Sequence, residues 1–326
     1  MAADTLLHCV SSTPGRYIGS PLTGGDTPVR CGRVSQDQII LGKLLGTGGF
    51  GRVYVANVRG RTVAVKMYQK HTANPAATRK SYNNELMAFR LGLKHCNVVS
   101  VLGATSLHDF EDDSWIVMEY VGERNLQAVI NNPEEVIDRN QRLSFALQIA
   151  RALQYLHSIN LVHLDLKPAN LLLTSDGRLR LADFGNCHLL LQDMARERER
   201  EKEGDAGGLR GVQGSWRCEL AGTLAYRAPE LLKGEPPSLQ ADIYSLGITL
   251  WQIRTQRDPY EGLPPHAVVF QVVAQELRPR RPSNDGDDPF EVIFRDLYTQ
   301  CWAAASEDRP SSQDVLHVVG LWMDQM

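Results

Sequence analysis

The hydrophobic pattern of this chain changes near residue 120, and that change limits the folds it can adopt. Before it, residues 52–58 and 62–68 alternate apolar and other side chains, which predicts two strands joined by a turn at residues 59–61. After it, residues 142–158 place apolar side chains at steps of three and four, which predicts a helix with one buried face. The pattern predicts an α+β fold with a small β-rich lobe followed by a larger, mostly helical lobe.

Other segments extend this two-lobe prediction. A helix is expected near residues 79–93 and a strand at 113–121, both in the β-rich part. Further helices are expected in the second part, at residues 241–253, 290–301 and 311–323. Residues 1–36 are rich in Ser, Thr, Gly and Pro without a clear period, so we interpret them as a loosely ordered N-terminal extension.

A charged segment at residues 195–214 interrupts the second part. From residue 196 to 203 it alternates Arg or Lys with Glu, so a helix there would place opposite charges three residues apart but like charges four apart. The glycines that follow would end such a helix. We interpret this segment as a solvated, flexible insert, with a docking site for a partner as the alternative.

Composition and charge exclude several classes of protein. The 326 residues carry 35 Lys and Arg against 38 Asp and Glu, so neither nucleic acid nor an anionic membrane is an expected partner. No apolar run is long enough to span a bilayer, and the first residues lack the features of a signal peptide. The six cysteines have no paired spacing, which favours reduced thiols over disulfides or a zinc site. A cytoplasmic protein is expected.

A glycine-rich stretch, GTGGFGRV at residues 46–53, matches the spacing G-x-G-x-x-G-x-V. Glycines let backbone N–H groups approach phosphates closely, although any tight turn can also use them. A dinucleotide-binding oxidoreductase would need a helix directly after these glycines, but a strand pattern follows instead. The stretch therefore favours a hairpin that covers a nucleotide.

Two charged residues in the first part fit such a nucleotide site. Lys66 ends an apolar strand, where a lysine could simply extend its ammonium group to water. Glu85 lies in the following helical segment, and an ion pair between the two would keep Lys66 charged and directed at phosphates.

The stretch LVHLDLKPANLLL at residues 161–173 places Asp165, Lys167 and Asn170 between apolar flanks, and ADFG follows with Asp183. Asn170 and Asp183 offer the hard oxygen ligands that Mg²⁺ prefers. Asp165 can orient a hydroxyl and accept its proton, and Lys167 can neutralise charge on a moving phosphoryl group. A turn alone could explain the DFG letters, but it would not explain the whole ordered set.

These motifs, taken in order over residues 39–321, resemble the protein-kinase signature set. The resemblance implies a bilobal kinase domain at residues 37–324, with an N-lobe at about 37–118, a hinge at 119–121 and a C-lobe at 122–324. It implies ATP and Mg²⁺ in the cleft, with Asn170 and Asp183 as metal ligands. The residues it assigns to ATP binding are Gly46, Thr47, Gly48, Gly49, Phe50, Gly51, Val53, Ala64, Lys66, Glu85, Met118, Glu119 and Val121.

The same resemblance implies further roles. Met118 would stand at the back of the adenine pocket, and Asp242 would hold the catalytic loop from below. Lys167, two residues after Asp165, is typical of serine/threonine kinases, and Thr223 would contact both of these residues. An apolar column linking the lobes is expected from Phe89, Val101, His163 and Phe184, and an ion pair between Glu230 and Arg309 is possible.

A closer resemblance is to the Mos-type serine/threonine kinases, carried by VHLDLKPANLL, GTLAYRAPELLKGE and ADIYSLGITLWQ. It implies a MAP kinase kinase as the protein substrate and a role in the MAP kinase cascade during oocyte meiotic maturation and metaphase arrest. The insert at residues 195–214 departs from this family and lies in the activation segment. The alternatives are another cytoplasmic serine/threonine kinase, or a pseudokinase scaffold, although no catalytic residue is lost.

Leu164 stands where many kinases carry an arginine that pairs with a phosphate on the activation segment. Such charge-assisted bonds contribute about 1.5–3 kcal/mol each, and they order the segment. Because the leucine side chain has no donor, we expect an enzyme that does not depend on this pairing and is controlled by abundance or partners.

Overall fold

The computed structural model describes residues 32–69, 72, 74–108, 110, 114–190, 224–282 and 288–324. Residues 1–31, the charged segment 195–214 and Thr223 lie outside the described residues, so the expectations placed on them have no structural counterpart. The described chain forms the two lobes that the sequence predicts, a sheet followed by helices.

The N-lobe is built on a six-stranded sheet. Its strands are β1 (Gly32–Arg33), β2 (Ile39–Thr47), β3 (Gly51–Val58), β4 (Arg61–Tyr68), β5 (Val101–Ala104) and β6 (Trp115–Glu119). The order across the sheet is β1-β5-β6-β4-β3-β2, and each pairing is antiparallel except that of β1 with β5. Strand β1 lies within residues 1–36, so the end of that predicted extension is part of the sheet.

The predicted hairpin is the pair β3–β4. Its register runs from Gly51 opposite Tyr68 to Val58 opposite Arg61, and the turn residues Arg59 and Gly60 both have positive φ. Two consecutive positive φ angles match the right-handed twist of the strands that they join. The hairpin therefore places Lys66 in the middle of the sheet, opposite Val53.

Helix α1 (Pro75–Arg90) packs beside the sheet and begins four residues before the predicted start. The Asn74 side chain accepts a hydrogen bond from the backbone N–H of Ala77, and Pro75 occupies the first turn, where its missing N–H costs nothing. The helix ends at Arg90, before Gly92 with its positive φ, rather than at residue 93. This placement brings Glu85 onto the face that meets the sheet.

The C-lobe is mostly helical. Its helices are α2 (Leu126–Ile130), α3 (Arg139–Ser158), α4 (Pro229–Leu232), α5 (Leu239–Thr255), α6 (Pro265–Ala274), α7 (Pro289–Cys301) and α8 (Ser312–Asp324). Short strands β7 (Leu161–Val162), β8 (Leu171–Leu173), β9 (Leu179–Leu181) and β10 (His188–Leu189) lie under the cleft. The predicted helices of this lobe are all present, whereas α2, α4 and α6 were not predicted.

Helix α5 is the centre of this lobe, because every residue from Ala241 to Ile253 is buried. Helix α3 packs beside it and begins at a capping box, in which Asp138 and Gln141 satisfy each other's backbone N–H groups. Among the described helices, none combines the length and the apolar character needed to cross a bilayer.

Candidate active site

A cleft of about 620 Å³ separates the two lobes. Every residue that the sequence assigned to nucleotide, metal or catalysis lines it, except Thr223, which lies outside the described residues. The cleft also includes Leu45 above and Leu172 below, which sequence reasoning missed. The available signal was positional: Leu45 directly precedes the glycines, and Leu172 follows Asn170 by two residues.

The glycine-rich stretch forms the tip of the β2–β3 hairpin over this cleft. The N–H of Gly48 donates to the carbonyl oxygen of Gly51 at 2.8 Å. Gly51 has no space for a side chain, because a Cβ there would lie 2.1 Å from the Met67 carbonyl oxygen. By contrast, a Cβ at Gly46 or Gly49 would meet nothing within 4 Å. The tip therefore leaves open space where phosphates could approach the backbone.

Lys66 is held between two carboxylates. Its ammonium nitrogen lies 2.9 Å from Glu85 Oε1 and 2.8 Å from Asp183 Oδ1. The predicted pairing with Glu85 is therefore present, and the structure adds Asp183 as a second partner. Helix α1, strand β4 and the DFG stretch are thus joined at one buried point.

The charges of this group shift one another. Burial by itself lowers the pKa of Lys66, but Asp183 and Glu85 together raise it well above its usual value. Burial raises the pKa of Glu85, and the Lys66 ammonium only partly opposes this rise. Glu85 Oε2 finds no donor among the described residues. For Asp183, loss of water contact acts to raise the pKa, but the Lys66 ammonium outweighs it and holds that pKa well below its usual range. Lys66 and Asp183 are therefore both charged at neutral pH.

Asp183 adopts a left-handed conformation, with φ of +68°. Its side chain is 41% exposed to the cleft and accepts from the N–H of Gly185. Gly185 lies so close to Ser81 that a Cβ would come within 2.3 Å of the serine oxygen, and its carbonyl accepts from Asn84. Helix α1 thus fixes the DFG turn and leaves an oxygen of Asp183 directed at the cleft.

Asp165 is surrounded by donors. Lys167 Nζ lies 3.0 and 2.9 Å from its two carboxylate oxygens, and Asn170 Nδ2 donates to Oδ2 at 3.0 Å. Asn170 also donates to the Asp165 carbonyl at 2.8 Å, which leaves the amide oxygen of Asn170 free to serve as a ligand. The three polar residues of the 161–173 stretch therefore form one connected group on one loop.

The loop is held from below by Asp242, a fully buried residue of α5. Its Oδ2 accepts from the backbone N–H of His163 and its Oδ1 from that of Leu164, each at 2.8 Å. Oδ2 also lies 3.1 Å from His157 Nε2. Leu164 has φ of +62°, an unfavourable value for a leucine, and it directly precedes Asp165. The buried carboxylate therefore maintains a strained backbone that aims Asp165 at the cleft.

The expected apolar column runs through the same region. The His163 ring meets the Phe184 ring edge to face at 5.3 Å, and its Nε2 donates to the carbonyl of Ala182 at 3.1 Å. Phe184 and Val101 belong to the main core cluster, and Phe89 packs against it. One apolar core therefore connects α1, β5 and the catalytic loop.

The segment expected as the hinge, residues 119–121, begins at Glu119, the last residue of β6. Met118 pairs with Ala64 of β4, and the Glu119 backbone N–H donates to the Ser100 carbonyl at 2.9 Å. The Glu119 side chain pairs with Arg180, so it contributes to packing behind the hinge. The backbone of the 119–121 segment lines the cleft, where it offers amide and carbonyl groups to a bound base.

Glu230 and Arg309 form a buried ion pair, as the sequence suggested. The guanidinium group makes two bonds to the carboxylate, at 2.6 and 2.9 Å, and its remaining donors reach the backbone carbonyls of Ala303, Ala304 and Gln240. This pair fastens the start of α4 to the base of the C-lobe.

The protein kinase domain family matches residues 39–319. Serine/threonine-protein kinase mos of Patiria pectinifera is 43% identical over 274 residues, which cover 84% of this chain and 72% of that protein. The chain belongs to the Mos-type serine/threonine protein kinases.

Other relatives support the same family. This Mos-type kinase is 37% identical to serine/threonine-protein kinase mos of Xenopus laevis, over 87% of this chain and 76% of that protein. It is 36% identical to proto-oncogene serine/threonine-protein kinase mos of Sus scrofa, over 90% of this chain and 86% of that protein. It is therefore a serine/threonine kinase, and its family uses ATP and a divalent metal ion.

Proposed function

We propose that this Mos-type kinase phosphorylates a MAP kinase kinase on Ser or Thr, in the MAP kinase cascade of oocyte meiotic maturation and metaphase arrest. The observation that carries this proposal is the similarity to kinases named mos over most of the chain. A cytoplasmic location and a protein substrate are part of the same proposal. An alternative substrate would leave the enzyme class unchanged.

The cleft residues fit Mg²⁺ as the metal. Asp183 is ionised and partly exposed, and Asn170 has a free amide oxygen, so both offer hard oxygen ligands. Within the described residues no group of three or more His, Cys, Asp or Glu could hold a metal. A site with two protein ligands suits Mg²⁺, which usually retains phosphate oxygens and waters. Bound there, Mg²⁺ would neutralise charge on the phosphates of ATP.

The remaining roles follow from charge and position. Lys66 would hold the α- and β-phosphates, with Glu85 keeping the ammonium in place. The glycine tip would cover the phosphates, and Met118 with the hinge at 119–121 would contain the adenine. Orienting the reactants in this way can supply about 7–11 kcal/mol of the barrier.

Asp165 would orient the substrate hydroxyl and accept its proton as the phosphoryl group leaves ATP. Lys167, which already contacts both Asp165 oxygens, would neutralise the charge on the moving group. Thr223 would contact both Asp165 and Lys167. Proton acceptance contributes about 10²–10⁴ in rate.

The test is transfer of radiolabelled phosphate from ATP to a kinase-inactive MAP kinase kinase. The wild-type chain should label it, Asp183→Ala should not, and Asp165→Asn should lose transfer by about 10²-fold or more while still binding ATP. Labelling of other proteins but not of this substrate would refute the MAP kinase kinase assignment. Near-normal transfer by Asp165→Asn would refute the role given to Asp165.

A further inference from the structure

A second cavity, of about 890 Å³, lies in the C-lobe and shares no lining residue with the ATP cleft. It is bounded by the end of α5, by α6 and by the start of α7. We call it the arginine cavity, because its lining includes Arg142, Arg254, Arg257, Arg278, Arg280 and Arg281. The lining contains three carboxylates against these six arginines: Asp258, Glu261 and Glu291.

Three of the arginines are used by the fold itself. Arg142 Nη1 and Arg254 Nε each bind one oxygen of Glu291, at 2.8 and 2.7 Å. Arg278 Nε donates to a backbone carbonyl at 2.8 Å. These contacts join α3, α5 and α7, so the inner wall of the cavity is held in place before anything binds.

The other three arginines stand at the rim. Arg257, Arg280 and Arg281 are exposed, and none of them forms an ion pair with any residue that the structure describes. The Arg280 backbone is positioned by Trp251, whose indole N–H donates to its carbonyl at 3.0 Å. Guanidinium groups bind carboxylates through two parallel bonds, which makes this rim suited to acidic side chains.

Helix α6 borders the cavity through Gln271 and is unusually apolar for a surface helix. Eight of its ten residues, PHAVVFQVVA, are apolar, but only Val268 and Val272 are buried. Phe270 is 62% exposed and precedes Gln271, the α6 residue that lines the cavity. A helix that is apolar on all sides is normally enclosed, so this outer face is suited to contact with another protein.

We propose that the arginine cavity and the outer face of α6 form a docking surface for an acidic segment of a protein substrate. The acidic side chains would bind Arg257, Arg280 and Arg281, and a large apolar side chain beside them would pack on Phe270. This rests on the proposed function, phosphorylation of a MAP kinase kinase, but assigns a site outside the ATP cleft. Charge complementarity favours an acidic partner, because three exposed arginines without an ion-pair partner among the described residues outnumber the two exposed carboxylates of the lining, Asp258 and Glu261.

The position of α6 suits a substrate rather than an unrelated partner. The buried face of α6, Val268 and Val272, packs in one apolar cluster with Ala225 and Leu232. Ala225 lies in the short helical turn Leu224–Tyr226, and Leu232 is the last residue of α4. These elements follow Asp183 along the chain, and α4 carries Glu230 of the buried ion pair. A protein docked on α6 is therefore held next to the segment that a substrate must approach.

A binding measurement tests the surface directly. The probe is a fluorescein-labelled peptide in which a Leu-Phe pair is flanked on both sides by Asp and Glu, titrated with the full chain and followed by fluorescence anisotropy. Arg280→Glu with Arg281→Glu should weaken binding about tenfold or more, and Phe270→Ala about fivefold or more. Two variants serve as matched controls: Arg61→Glu changes an exposed arginine of the N-lobe, and Val136→Ala shortens a valine that is 76% exposed between α2 and α3. Both should bind the peptide as the wild type does.

Transfer to a kinase-inactive MAP kinase kinase tests the substrate role. The double arginine variant should raise KM for this protein, leaving KM for ATP and transfer to a short Ser/Thr peptide unchanged, and the acidic peptide should compete with the protein only. Absent peptide binding, or equal binding by variants and wild type, overturns the docking surface. Peptide binding with unaltered transfer by the variant overturns the substrate role. Peptide binding without any wild-type transfer to this protein counts against the proposed function and leaves the surface supported.

Discussion

The change Asp242→Asn tests how the C-lobe core controls the catalytic loop. Asp242 is fully buried and accepts two backbone N–H groups at 2.8 Å, from His163 and Leu164. Asparagine has nearly the same shape but only one acceptor oxygen, so its NH₂ group would face one of those N–H groups. Loss of one charge-assisted bond, with a donor left unsatisfied, should lower the free energy of unfolding by about 3 kcal/mol.

The effect on activity follows from the strain at Leu164. A positive φ costs a leucine about 1–2 kcal/mol, and the bond to Asp242 maintains it. Without that bond the backbone should relax and move Asp165, the next residue. A displacement of about 1 Å can cost about 10²-fold in rate. We therefore expect kcat to fall by about that factor, whereas KM for ATP stays close to the wild-type value because the glycine tip and Lys66 are untouched.

Urea unfolding and steady-state phosphate transfer measure the two effects. The control is Asp176→Asn, in the turn between β8 and β9, where the carboxylate is 52% exposed and pairs with Arg178. An exposed pair of this kind contributes little to stability, because water screens the two charges. Wild-type stability and wild-type kcat in Asp242→Asn would refute the idea that this carboxylate positions the loop.

Other predictions follow from the same structure. Arg309→Ala leaves Glu230 buried without its partner and should lower the free energy of unfolding in urea by about 3–5 kcal/mol, whereas Arg178→Ala at an exposed pair should change it little; equal losses would contradict this. Asp183 has a lowered pKa in the fold, so its contribution to stability is present above its unfolded pKa of about 3.9 and is lost as pH falls below it. In Asp183→Asn the free energy of unfolding should therefore fall less steeply as pH is lowered below about 4. An unchanged pH dependence would show that the contact between Asp183 and Lys66 does not cause this loss of stability. Leu164 offers no donor to an activation-segment phosphate, so phosphatase treatment should leave activity largely intact; a collapse that depends on phosphate in that segment would refute the expectation.

Local patterns were enough to predict much of the fold. The β3–β4 hairpin follows from alternating residues on either side of a turn, and α3 follows from a single apolar stripe. Both depend on neighbours in sequence, so the pattern alone carries the information. Helix α6 could not be predicted in this way, because it is apolar on almost every side and shows no apolar stripe of period 3.6. The early start of α1 came from Asn74 and Pro75, a capping signal that the apolar period did not include.

The chemistry of the site was also readable, because the cleft residues occur in short ordered motifs. The sequence by itself determined which groups are present: the glycines, Lys66, Asp165, Asn170 and Asp183. It did not predict that Asp183 would be a second partner of Lys66, since the two are 117 positions apart. The parallel pairing of β1 with β5, about seventy residues away, could not be predicted from a strand of two residues.

Only the tertiary structure decided how charge and strain are distributed. The arginines of the second cavity come from α3, from α5 and from the segments before and after α6, and no local spacing connects them. Likewise, the left-handed backbone at Leu164 depends on a carboxylate 78 positions away. Periodicity and motifs record what each segment prefers by itself. Contacts between distant segments depend on how the core packs, and that packing determined where Asp165 points and which arginines lack an ion-pair partner in the described part of the chain.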